Sequence, residues 1–102
     1  MLELRKSCEN CNCELLPNST EAMICSYECT FCRSCVDSVL FNVCPNCGGG
    51  FCKRPIRPKS NLKGGNCLAN HPPVDKVVYK PVNTNEHSVF SNGIKGIPSN
   101  ER

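Results

Sequence analysis

Eight of the chain's cysteines fall into four close pairs between residues 8 and 47: Cys8 with Cys11, Cys25 with Cys29, Cys32 with Cys35, and Cys44 with Cys47. Three pairs have the spacing C-x2-C and the second has C-x3-C. Sulfurs at this density are bridged, shared by metal ions or poised for redox chemistry. The start, "MLELRKSCEN", carries charges at Glu3, Arg5 and Lys6 and lacks the apolar run of a signal peptide. No stretch approaches the length of a membrane span either. A cytoplasmic protein is therefore expected, and in a reducing cytosol paired cysteines hold metal in preference to forming bridges.

A C-x2-C pair suits zinc because a tight turn brings both sulfurs to about 2.3 Å from one ion. The residue after the second cysteine often needs a positive φ, which Gly48 adopts freely and Asn12 tolerates better than most. Four pairs supply eight ligands, enough for two tetrahedral zinc sites. Since Cys25 and Cys29 can join any of the other three pairs, spacing alone leaves three partitions open. A thioredoxin-like dithiol is the rival, but that chemistry rests on a βαβ framework that the sequence lacks.

Around these pairs the sequence reads as a small α+β zinc-binding fold. "EAMICSYECTF" gathers Met23, Ile24, Tyr27 and Phe31 about two cysteines, and its Ser-Tyr-Glu interval suits the tip of a short hairpin. "RSCVDSVLF" reads as two turns of helix with Val36, Val39 and Leu40 on one face. "CPNCGGGF" closes the core, Pro45 presetting the turn and Phe51 returning to the apolar side. A core of about 50 residues cannot offset its chain entropy alone, whereas a structural zinc adds on the order of 10 kcal/mol.

The chain then divides into residues 1–52, a two-zinc module; 53–82, a basic, Pro-rich arm; and 83–102, a polar tail expected to be disordered. Residues 1–50 carry three basic against six acidic side chains, and 51–102 nine against three. Eight thiolates on two Zn2+ ions shift the net charge from +3 to about −1. Lys53, Arg54, Arg57, Lys59 and Lys63 make an exposed arm able to meet phosphates, although no aromatic residues interleave with them to stack bases. "KVVYKPV" at 76–82 has the composition of an edge strand ended by Pro81. All eight paired cysteines end at Cys47, so arm and tail are expected to be dispensable for folding. Cys13, Cys52, Cys67 and His71 are the residues from which a third site would have to come, but they read better as fillers and loop residues, and His87 as solvated.

"CTFCRSC" followed by "CPNC" resembles the second half of a RING finger. That resemblance implies a cross-brace in which the first and third pairs share one ion and the second and fourth the other. Cys8, Cys11, Cys32 and Cys35 would then form one site, and Cys25, Cys29, Cys44 and Cys47 the second. Cys29 stands where RING domains usually have histidine, and three residues separate it from Cys25 in place of one. Taken with "MLELRKSCENC", "AMICSYECTFC", "RPIRP" and "HPPVDKVVYKPV", the pattern also resembles, over residues 1–82, a bacterial family known as domain of unknown function 1272. The resemblance implies a small zinc-binding module of RING-like or treble-clef type. Ubiquitin-ligase activity is not expected, because Asn10 and Gly48 stand where ligases carry an apolar and a basic residue, and there is no Trp. Four protein ligands per site also leave no open position for zinc catalysis. The expected function is therefore non-enzymatic binding of a protein partner, with nucleic acid bound through residues 53–63 as the alternative. Neither a membrane nor a small-molecule substrate is expected.

Overall fold

Alanine, isoleucine, threonine and phenylalanine around the second cysteine pair fold as the expected hairpin. In the computed structural model, which describes residues 1–102, β1 (Ala22–Ile24) and β2 (Thr30–Cys32) pair antiparallel, with Ala22 opposite Cys32 and Ile24 opposite Thr30. The turn between them is closed by the Cys25 amide donating to the Cys29 carbonyl (3.2 Å) and the Glu28 amide to the Cys25 carbonyl (3.0 Å). Glu28 completes it at φ 66°, a left-handed conformation costly for a side chain of this kind. On the other side of β1, β3 (Cys52–Lys53) adds an antiparallel edge, giving the order β2-β1-β3.

Directly after β2, α1 (Arg33–Cys35) runs into a π-helical stretch, Val36–Leu40. Val36 and Leu40 are buried against Phe31, Ala22 and Leu15, and Val39 packs at the margin, so the apolar face expected of this helix is the one that meets the hairpin. The helix ends without glycine, on Phe41 and Asn42 at φ 53° and 58°. Phe51 returns over the core edge-on to Phe31, with ring centroids 5.4 Å apart.

The arm is anchored where the sequence suggested an exposed linker. Arg54 is 1% exposed, and its guanidinium donates to the carbonyls of Arg5 (2.8 Å) and Leu16 (3.0 Å). Arg57 donates likewise to the carbonyls of His71 (2.6 Å) and Leu2 (2.7 Å). The physical reason is the forked, planar guanidinium, which can join two separate backbone carbonyls from one fixed group. Farther on, Cys67 is buried and its carbonyl accepts from the His71 amide at 2.9 Å. The expected edge strand over 76–82 does not form. The chain runs extended beside the N-terminal segment and in the same direction, with Val74 N donating to Leu4 O (3.1 Å) and Lys80 N to Glu9 O (2.8 Å), and no continuous ladder between.

The tail over 83–102 is likewise ordered, contrary to expectation. Asn83 caps α2 (Thr84–Asn92), its side chain accepting from the Glu86 amide at 3.0 Å, and Asn83 with Glu86 three residues on is a helix-start signal outweighed by the polar composition around it. His87, expected to be solvated, is buried, and its Nε2 lies 2.9 Å from the Leu40 carbonyl. Arg102 closes the tail on the carbonyls of Asn42 (2.7 Å) and Gly48 (3.2 Å). A chain cut after Pro58 keeps every paired cysteine but loses these contacts, so arm and tail belong to the folded unit.

Arg54→Ala leaves the Arg5 and Leu16 carbonyls without their buried donor and should lower stability by about 2–3 kcal/mol in chemical denaturation. Arg54→Lys should recover only part of this loss, because an ammonium cannot reproduce the fork. An unchanged Arg54→Ala protein would refute the anchoring role.

Candidate metal centre

Each pair of cysteines is delivered by a different local device. Cys8 and Cys11 sit in a tight knuckle in which Asn12 N donates to Cys8 O and Cys8 N to Cys13 O, both at 3.0 Å. Asn12 takes φ 61°, the positive value expected after the second cysteine. Cys44 and Cys47 repeat the device: Gly48 N donates to Cys44 O and Cys44 N to Gly49 O, both at 2.8 Å, with Gly48 at φ 79°. Cys32 ends β2 and Cys35 ends α1, so the strand-to-helix junction presents both. Cys25 and Cys29 face one another across the hairpin turn.

The fold interleaves these pairs. The sulfurs of Cys8, Cys11, Cys32 and Cys35 all lie within 4.8 Å of one another, and Cys11 and Cys32 are 3.8 Å apart. Four sulfurs at about 2.3 Å from a central ion stand about 3.8 Å apart along each tetrahedral edge, so this group has the dimensions of a thiolate cage. Cys25, Cys44 and Cys47 form a second group within the same limit. Cys29, expected as its fourth member, is outside that mutual distance. The widened interval and the left-handed Glu28 set it at the edge of the group, where its sulfur accepts from Asn46 Nδ2 in the second knuckle (3.4 Å).

The electrostatics of both groups call for a cation. Burial, aided by the charge on Cys32, raises the pKa of Cys8, and burial followed by interaction with Cys25 raises that of Cys29. Burial likewise drives Cys35 up against the neighbouring Cys32 and Cys8, and Cys44 up against Cys25 and Cys29. Cys11 goes the other way: burial opposes ionisation, but hydrogen bonds from the Cys13 backbone and from the thiols of Cys13, Cys8 and Cys32 lower it to about 7. Sulfurs this close cannot all ionise unless a positive ion compensates them. Two groups, each able to hold a metal ion, follow from the geometry.

Cys13, Cys52, Cys67 and His71 are not gathered into a third group. Cys13 lies beside the first, where burial of its sulfur, a hydrogen bond to Cys11 and the charge on Cys32 push it up to about 12. Of the five basic residues, Arg54 and Arg57 are engaged with backbone, while Lys53, Lys59 and Lys63 remain exposed. The sequence reading missed Asn10 and Asn46. Asn10 Nδ2 donates to Cys35 Sγ at 3.2 Å, as Asn46 does to Cys29. The signal was present, because both knuckles read C-x-N-C, "CENC" and "CPNC".

A family model described as a protein of unknown function, DUF1272, matches residues 1–57. The chain belongs to this family. An uncharacterised protein of Rhizobium meliloti (strain 1021) is 54% identical over 63 residues, covering 62% of this chain and 75% of its relative. No solved structure matches. The DUF1272 match contains all eight paired cysteines and ends before residues 58–82, to which the resemblance in sequence seemed to extend.

Two outcomes follow from this donor set. Native mass spectrometry of the metal-loaded chain should show two bound ions; Cys8→Ser should remove one and Cys44→Ser the other, and a wild-type mass with one ion or none would refute the two groups. Metal affinity should rise between about pH 6 and about pH 8, since uptake displaces protons from thiols whose pKa is raised. The metal-free fold has the opposite dependence: a raised thiol such as Cys13 contributes stability below its ordinary 9.0, and that contribution is lost as pH rises through about 12. Chelator competition across pH checks the first slope, and an affinity independent of pH would contradict it.

Proposed function

We propose that this DUF1272 chain is a non-enzymatic, RING-like module of treble-clef type that folds around two zinc ions and docks a protein partner. An all-thiolate, near-tetrahedral donor set suits zinc, and it keeps its ligands only in a reducing compartment such as the cytoplasm. The interleaved pairs support the cross-brace, with Cys29 drawn in as the fourth ligand of the second ion. Site one has four protein ligands and no open position. Glu9, the buried carboxylate nearest to acting as a base, is occupied by Arg5 (3.0 Å), the Thr30 amide (2.8 Å) and Asn46 (3.5 Å). No helix is long and apolar enough to cross a membrane.

The observation that carries the docking reading is apolar surface around the second knuckle. Tyr27 is 73% exposed beside Cys47, and an open groove of about 480 Å3 continues past Gly48 to Phe90, Ile94 and Ile97. Exposed aromatic and aliphatic side chains on so small a chain favour a protein segment that brings an apolar side chain of its own. Nucleic acid is the weaker alternative, since within residues 53–63 only Lys53, Lys59 and Lys63 remain free.

Tyr27→Ser tests the reading. It should abolish capture of the specific partner from the native host, seen by cross-linking with the zinc-loaded chain, while the chain keeps both ions. Equal capture by wild type and variant would sink it. Binding to duplex DNA should be undetectable at physiological salt. Three lysine contacts would give a slope of log affinity against log salt of only about −3, and tight DNA binding would favour the alternative.

A further inference from the structure

Asn10 and Asn46 occupy equivalent places in the two knuckles, each just before the second cysteine, and each donates its side-chain amide to a sulfur from a different pair. A carboxamide held at its oxygen end keeps its N–H aimed at one acceptor, and at Asn46 a second contact to Glu9 Oε1 (3.5 Å) acts in the same sense. Both oxygens are held by the same short segment. Val82 N donates to Asn10 Oδ1 at 2.9 Å, and Lys80 Nζ donates to Asn46 Oδ1 at 3.2 Å. Lys80 is itself fixed through its backbone amide on Glu9 O (2.8 Å).

We infer that residues 80–82 form a strap that governs metal retention at both centres, with Asn10 and Asn46 as the positioning residues through which it acts. Four thiolates around a divalent cation leave two excess negative charges, and an N–H donor aimed at a sulfur disperses part of that charge. It also lowers the sulfur's readiness to take a proton or leave with a competing ligand. The strap is suited to be displaced. Val82 packs against the margin of the core, but a cavity of about 110 Å3 adjoins the strap between Glu9, Phe31, Asn46 and Lys80, so its Lys80 end is held by polar bonds. It lies outside residues 1–57 that match the DUF1272 model. A protein that lifts residues 80–82 away would break both bonds and loosen both ions from one point.

The inference rests on the two-metal reading, and the test separates them. The full chain is loaded with zinc, its metal content is measured, and release to a chromogenic chelator is followed. Cadmium-113 NMR of cadmium-loaded samples identifies which ion each variant perturbs. Asn46→Ala and Lys80→Met should speed release of one ion per chain about tenfold and shift the cadmium resonance of the Cys25, Cys44 and Cys47 group. Asn10→Ala and Val82→Pro, which removes the donating N–H, should do the same at the Cys8, Cys11, Cys32 and Cys35 group. Val82→Ala, which keeps the N–H and loses only side-chain packing on the core, should release its ion more slowly than Val82→Pro, and Lys80→Arg should restore the wild-type rate lost in Lys80→Met. If wild type holds fewer than two ions, the metal reading and the inference both fail. If all variants hold two ions and release them as wild type does, or if each variant loosens both ions equally, only the strap is overturned.

Discussion

Mutual repulsion between sulfurs is the constraint on which the rest of this structure depends. Cys8, Cys11, Cys32 and Cys35 arrive from a knuckle, a strand and a helix, and their sulfurs all lie within 4.8 Å of one another, with Cys11 and Cys32 3.8 Å apart. Such sulfurs are stable as neutral thiols or as thiolates around a cation, and the second arrangement joins four backbone positions through one centre. The hydrophobic core alone is slight, eight buried residues around Phe31 and Leu40, three of them cysteines of the cage itself. Metal binding and core packing are therefore one event: the groups that would hold the ion are also the side chains that fill the interior.

The two centres are joined by a small polar network. Glu9 lies inside the first knuckle. Its amide donates to the Thr30 carbonyl and its carboxylate accepts from the Thr30 amide, which ties the knuckle to β2. The same carboxylate meets Arg5 and reaches Asn46 in the other knuckle, and its backbone carbonyl receives Lys80. A buried carboxylate on its own is costly, and here the bonds from Thr30 and Asn46 that help to offset the cost also tie the first knuckle to β2 and to the second knuckle. Arg54 works the same way farther from the metal groups, its charge buried but divided between two carbonyls, with burial lowering its pKa from the ordinary value.

The second centre differs from the first at Cys29. In the first group every sulfur comes from a C-x2-C pair, one positioned by a tight turn and the other by the junction of β2 and α1. In the second, one pair spans a hairpin tip with three intervening residues and a left-handed Glu28, so Cys29 stays outside the mutual distance of the other three sulfurs, with Asn46 donating to its sulfur. Tyr27 projects from that same tip. The features that loosen the ligand geometry thus also create the exposed aromatic surface beside the second knuckle.

The sequence by itself determined what is local. The cysteine spacings and the left-handed residues Asn12 and Gly48 define the knuckles, and the gathering of Met23, Ile24, Tyr27 and Phe31 about Cys25 and Cys29 marks the hairpin. The i, i+3, i+4 set Val36, Val39 and Leu40 fixes the buried face of the helix, because each of these signals is complete within one turn or strand. Tertiary structure decided which pairs converge, since spacing is equally compatible with three partitions. It also decided which charges are free. Nothing local distinguishes Arg54 and Arg57, bound to carbonyls up to 55 residues away, from Lys59 and Lys63, which face solvent. The tail was legible only in part: Asn83 and Glu86 announce a helix start, but a polar helix is stable only where a surface receives it, and the Leu40 carbonyl that meets His87 lies 47 residues earlier. The amides of Asn10 and Asn46 acquire their role in the same way, because a side-chain hydrogen bond has direction only once both of its ends are held in space.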